Sequence, residues 1–330
     1  MNLSPVYVNS SSSVFGARRV SPEDVDRAYG MPSGKLRKRA GIESFAYAAA
    51  DEDEGSLGER ACRQALNQFD VSVHEVDWIL AASETYHAFP TLSAVLHSRL
   101  GLRENCNALD VGSGCLALLQ TMAVAQSLLQ TGRGRNVLVA TADVHSRTLG
   151  PGRAAGEFGG LFGDGACAFL LSGDANRRTW SPYRLGDFFF GCATKYSQAI
   201  AISDSGNGPL DVKFSGDALS RAAVACMEKV LGEVEHRSGI SRRNVGAFAT
   251  HQPNPRLVAL LVKQLDVPAK TFPLIGATSG NLGSSMCGAV LHAALDQAST
   301  QPFELRQPVF LASLGPGLLY GGGWMVPAAP

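Results

Sequence analysis

Positive and negative charges balance in this chain, 29 Lys and Arg against 29 Asp and Glu, so nothing global draws it to nucleic acid or to an anionic membrane. No uninterrupted apolar run reaches the roughly 18 residues of a membrane span. The first residues, Met1-Asn-Leu-Ser-Pro-Val-Tyr-Val, lack the basic and apolar regions of a secretory signal. A soluble, cytoplasmic protein is expected. The seven cysteines, at 62, 106, 115, 167, 192, 226 and 287, are odd in number and contain no C-x-x-C pair, so they read as reduced thiols. There is no G-x-S-x-G elbow, no H-E-x-x-H and no metal-spaced Cys/His cluster, which removes serine-hydrolase and zinc chemistry; no metal is expected.

What is present is ordinary globular material: 330 residues, 45% hydrophobic and 18% charged, enough for one large domain or two similar halves. Lys35, Arg37, Lys38 and Arg39 form a local basic cluster, whose simplest reading is a solvated face.

The order of predicted elements repeats once. The first half reads as a helix over 55–69, strand 76–82, helix 92–100, strand 108–111, an apolar helix from Cys115 to about 130, then strands 136–141 and 166–171. The second reads as helix 217–236, strand 245–250, helix 256–265, a strand near 271–274, an apolar helix running to 294, then strands 308–313 and 323–326. Strands alternating with helices predict an α/β protein with mostly parallel sheets, built from two halves related by a pseudo-twofold axis. The halves are placed at 1–171 and 172–330, with 172–215 as the connection.

Cys115 opens the helix that follows the strand 108–111. A thiol there meets unpaired backbone N–H groups and the positive end of the helix dipole, which favours the thiolate and marks a nucleophile. The alternative is a buried structural cysteine. In the repeat Asn281 occupies the equivalent helix start, and His251 ends the strand equivalent to 76–82. Ligands of parallel α/β sheets gather beyond the carboxyl ends of strands, so the three residues converge on one place. A competing motif is Gly112-Ser-Gly114-Cys-Leu-Ala117, which matches a permissive dinucleotide fingerprint with Asp143 as the ribose acid. It sits at the third strand rather than the first and leaves His251 and Asn281 unexplained.

Taken together, Arg39-Ala-Gly-Ile42, His87-Ala-Phe-Pro90, Asp110-Val111 through Cys115, Asp143-Val144 with Arg147-Thr148, Phe162-Gly-Asp-Gly-Ala166, His251-Gln252 with Asn254 and Arg256, and Gly280-Asn281 span nearly the whole chain in order. In these segments the chain resembles the thiolase-like condensing enzymes, most closely the 3-oxoacyl-acyl-carrier-protein synthase III family. The resemblance implies a thiolase-like fold, two pseudo-twofold βαβαβαββ halves forming a five-layered αβαβα core. It also implies a Cys115, His251, Asn281 triad that moves an acyl group onto the cysteine and condenses it with a malonyl thioester. The reaction would serve fatty-acid initiation or secondary metabolism, with no cofactor beyond the substrates, which are acyl-CoA or acyl-carrier thioesters and the malonyl thioester.

The family pattern further implies a homodimer, with Phe89 reaching toward the partner's acyl pocket. Arg39, Lys35, Arg153, Asn254 and Arg256 would contact substrate or carrier protein. The C-terminal glycine loop normally supplies an oxyanion N–H at its middle position, but that position here is Pro316, which has none. Gly315 or Gly317 must serve instead, and Gly-Pro-Gly is similar to type III polyketide synthases. Lys35 replaces the usual adenine-stacking tryptophan, and Arg153 is the nearest stand-in for an arginine expected just before Phe162. Both departures favour carrier-bound donors over free acyl-CoA. An acyltransferase that passes the acyl group to an oxygen or nitrogen nucleophile is the alternative on the same scaffold. Asn281 favours condensation, since its amide can stabilise an enolate that simple acyl transfer never forms.

Overall fold

The computed structural model describes residues 4–69, 71–112, 114–173, 183–204 and 208–328. The first half contains β1 (Tyr7–Phe15), β2 (Arg18–Val20), α1 (Pro22–Ala28), β3 (Phe45–Tyr47), α2 (Glu54–Phe69), β4 (Trp78–Ala82), α3 (Leu92–Leu100), β5 (Asn107–Asp110), α4 (Ala117–Gln130), β6 (Asn136–Val144), the short helices α5 (His145–Thr148) and α6 (Gly156–Gly159), and β7 (Asp164–Ser172). The second contains β8 (Tyr183–Leu185), β9 (Phe189–Cys192), β10 (Ile200–Ser203), β11 (Asp211–Phe214), α7 (Gly216–Ser238), β12 (Ala247–Thr250), α8 (Pro255–Gln264), α9 (Gly276–Ser279), α10 (Met286–Ser299), β13 (Val309–Gly315) and β14 (Leu319–Pro327). Among the described residues no helix is long and apolar enough to cross a membrane.

The principal sheet runs β5-β4-β6-β7-β1-β8-β14-β13-β12, with β9 also on β14. Parallel pairing is confined to its two ends, β5-β4-β6 and β12-β13, while the central pairs are antiparallel. The sheet is therefore mixed rather than mostly parallel, and its order reads nearly the same from either end. Tyr7 and Val8 of β1 pair with Arg184 and Tyr183 of β8 where the halves meet.

Period-two alternation decides what each strand faces. Val137 and Val139, Phe169 and Leu171, Ala247 and Ala249, and Val309 and Leu311 turn inward onto α4 and α10, in one shared core. Leu138, Ala140, Ala168 and Leu170 turn outward onto α2 and α3. Phe248, Phe310 and Ala312 turn outward onto α7 and α8. Three helical layers thus enclose the two halves of the sheet, the αβαβα arrangement of a thiolase-like fold. The near all-round apolar sequence of α4 follows from its place in the middle, buried by both halves.

Two differences from the sequence reading have physical causes. The strand expected near 271–274 is absent; that stretch has a 3₁₀ turn, Ala269–Thr271, and an exposed Leu274. Pro268 and Pro273 flank it, and a proline cannot donate to a ladder. Conversely, β1 is a central strand that its Asn-Ser-Ser-Ser-Ser run conceals. Ser10 and Ser12 are buried there because their hydroxyls donate to Ala65 and Ala61 carbonyls of α2, at 2.7 and 2.6 Å. Within the expected connection, 172–215, the described part forms β8 to β11, and 174–182 and 205–207 lie outside the described residues.

Candidate active site

Cys115 lies in a 3₁₀ turn, Gly114–Leu116, that leads directly into α4. Gly114 adopts φ +57°, a conformation other residues avoid, and so turns the chain sharply from β5 into the helix. Ser313 of β13 donates its hydroxyl to the Cys115 carbonyl at 2.7 Å. A Cβ on Gly315 would stand 3.7 Å from the Cys115 nitrogen, so the end of β13 backs directly against the cysteine.

His251 follows β12, and its backbone N–H donates to Ala312 at 3.3 Å. Asn281 is threaded between halves: its N–H donates to Leu161 at 2.9 Å and its carbonyl accepts from Gly163 at 2.8 Å. Its side-chain Oδ1 accepts the Gly283 N–H at 3.0 Å, which leaves Nδ2 to offer donors elsewhere. Cys115, His251 and Asn281 line one cavity of about 360 Å³, walled by apolar residues including Phe158, Phe162, Phe214, Met227 and Leu261. The β10–β11 hairpin contributes Ile200 and Phe214 to that wall.

The charges around the thiol come from elements far apart in sequence. Glu84, in the loop after β4, places Oε2 3.3 Å from His145 Nε2. Asp143, at the end of β6, is fully buried and accepts from Glu84 N–H at 2.6 Å, from Ser83 at 3.2 Å and from Ser284 Oγ at 2.5 Å. Burial pushes Asp143 up to about 6, with the Glu84 anion adding to it and His145 opposing. Burial opposes the His145 cation, but Glu84 and Asp143 outweigh it and raise the imidazole above its usual value. Burial drives His251 down to about 4, so at neutral pH it is the neutral form with one ring N–H to donate.

The cysteine departs from the sequence expectation. Burial, together with the Glu84 and Asp143 anions, holds the Cys115 thiol well above its ordinary value despite its place before α4. The helix terminus favours the thiolate by about 1 kcal/mol, less than the opposing effect of burial and two neighbouring anions. Cys115 therefore rests as a thiol.

The family model for 3-oxoacyl-[acyl-carrier-protein (ACP)] synthase III matches residues 109–187, and the model for its C-terminal part matches 236–326, together just over half of the chain. The chain belongs to the synthase III family. It is a thiolase-like condensing enzyme. A beta-ketoacyl-[acyl-carrier-protein] synthase III from Methylococcus capsulatus is 27% identical over 286 residues, covering 86% of this chain and 87% of the relative. The Pseudomonas aeruginosa synthase III structure superposes with a TM-score of 0.84 at 24% identity, covering 99% of this chain and 100% of that one. A Xanthomonas campestris OleA structure superposes with a TM-score of 0.85 at 16% identity, covering 98% of each chain.

The residues expected at the donor-binding mouth of this family enzyme divide. Arg39 and Arg256 line the cavity. Lys35 does not; its Nζ pairs with Glu157 at 2.6 Å. Arg153 is likewise diverted, to Asp204 at 2.9 Å and the Gly208 carbonyl at 2.9 Å. Asn254 reaches the cavity, but its Oδ1 caps α8 by accepting the Leu257 N–H at 2.9 Å. Phe89, 94% exposed, projects away from the body of the molecule. Gly315 and Pro316 line the cavity, while Gly317, at φ +110°, shapes the turn beyond them.

Sequence reasoning missed Glu84 and His145, and the ribose role weighed and set aside for Asp143 is excluded by the structure. Glu84 follows β4 much as His251 follows β12, which is the signal that points to it. Asp143 cannot hold a ribose: it is enclosed, and its oxygens tie the Ser83-Glu84 loop to Ser284 and Ser285.

Proposed function

We propose that this enzyme transfers an acyl group from a thioester to Cys115 and condenses it, with loss of carbon dioxide, with a malonyl thioester. The observation that carries the reading is the apolar cavity with Cys115, the neutral His251 and the oriented Asn281 amide in its wall. Sγ attacks the thioester carbonyl; an Sγ–C bond forms, the C–S bond to the donor breaks, and the departing thiolate takes the proton that Cys115 gives up. Breaking the malonyl carboxylate's C–C bond then leaves its electron pair as an enolate. One ring N–H of His251 and Nδ2 of Asn281 supply donors for that oxygen, where charge develops only in the transition state. The enolate carbon attacks the acyl-cysteine, and the released Cys115 thiolate takes up a proton.

Apolar walls suit a hydrocarbon acyl chain. Pro316 has no N–H, so the Cys115 N–H carries more of the oxyanion stabilisation, with Gly315 or Gly317 as partner. Arg39 and Arg256 are the cations for a pantetheine phosphate or an acidic carrier protein, and a homodimer with Phe89 at its interface is part of the same reading. The test is intact-mass analysis after incubation with a panel of acyl-CoA and acyl-carrier thioesters. The wild type gains one acyl group, and Cys115→Ala gains none. A stable adduct on Cys115→Ala would remove the assignment.

A further inference from the structure

Glu84 holds an unusual position. Its side chain is only 18% exposed, and the carboxylate is divided between two environments. Oε2 sits against His145 Nε2, whose ring stacks on Phe162 with centroids 4.5 Å apart. Oε1 is buried and accepts no well-formed N–H or O–H bond among the described residues. A Cβ on Gly114 would stand 3.9 Å from that oxygen, which places it beside the turn that carries Cys115. An anion left half-satisfied in such buried surroundings is costly. Asp143 fixes the loop through the Glu84 N–H, and Gly283 closes the far side, since a Cβ there would overlap the His145 ring at 2.2 Å.

We propose that Glu84 is the proton acceptor for Cys115, taking the thiol proton on Oε1 as Sγ attacks the acyl thioester. The inference rests on Cys115 being the acylated nucleophile. Because Cys115 rests as a thiol beside an anion, the proton does not leave before attack; it moves as the Sγ–C bond forms and the sulfur becomes acidic. The donor C–S bond breaks, the departing thiolate takes the proton from Glu84, and the carboxylate is restored, so charge and protons balance. His145 is a positioning residue that keeps Oε2 occupied and Oε1 turned to the thiol. The titratable groups around Glu84 are His145 from α5, Asp143 from β6, Cys115 before α4 and His251 after β12; the His145 cation keeps Glu84 ionised.

Single-turnover loading followed by rapid quench and intact mass, with a short acyl-CoA as donor across a pH series, tests this. Wild type should load at a nearly level rate at pH values where Glu84 is ionised. Glu84→Gln should load about 10²-fold or more slowly near pH 6, within the usual span for a general base, and its rate should climb with pH. Glu84→Gln loading Cys115 at the wild-type rate, with an unchanged profile, overturns the inference. Glu84→Asp, which keeps the charge and shortens the reach, carries the test should Glu84→Gln not fold. Slower loading with a wild-type Tm supports the proposal, and loading at the wild-type rate overturns it. An acyl adduct on Cys115→Ala would instead overturn the choice of nucleophile, so the two failures are distinguishable.

Discussion

The Ser284 hydroxyl donates to Asp143 Oδ2 at 2.5 Å, joining the end of β6 to the turn that follows Asn281. One buried carboxylate thereby spaces residues from both halves of the chain, because it also receives the Glu84 N–H and the Ser83 hydroxyl. Asp143→Ala should strand these three donors and lower stability by about 3 kcal/mol or more, at about 1 to 3 kcal/mol for each buried group left unpaired. Urea unfolding checks this, and Asp143→Asn, which keeps an acceptor, should lose less.

His251→Ala and Asn281→Ala should both retain acyl loading on Cys115 while losing malonyl decarboxylation by roughly 10²-fold or more, the scale for removing one donor aimed at developing charge. Carbon dioxide release measured beside intact mass separates the two half-reactions. Equal loss of both would contradict the roles given to these side chains.

Stability should depend on pH through His251. Its imidazole takes a proton near 6.5 when unfolded but only near 4 in the buried site, so between those values the unfolded state binds more protons. Stability from this group is therefore present above about pH 6.5 and is lost as pH falls toward 4, by up to about 3 kcal/mol. His145 shifts in the opposite sense, so the difference between wild type and His251→Gln, measured by denaturant unfolding across that range, isolates the effect.

Reversing charge at Arg39 and Arg256 should weaken carrier-protein binding, and the loss should shrink as salt rises, since such fields are screened over about 8 to 10 Å at ordinary ionic strength. Reversal at Lys35 or Arg153, each already paired with an acid, should have the smaller effect. Titration calorimetry at two salt concentrations distinguishes them; equal losses at all four positions would argue against a docking role confined to the cavity mouth.

Much of the architecture was legible along the chain because hydrophobic period and turn residues are local signals. The duplicated order of helices and strands, and the placement of Cys115, His251 and Asn281 at strand ends and helix starts, need only neighbouring residues to be read. β1 was hidden because its serines look like a loop until α2 supplies carbonyls for them. The state of the thiol was decided only in three dimensions. Cys115 at a helix start reads as a thiolate, yet Glu84 from the loop after β4 and Asp143 from the end of β6 set their anions beside it in a buried space. Coulomb interaction and desolvation depend on distance through space and on what is packed around a group, and neither quantity is written in the order of residues.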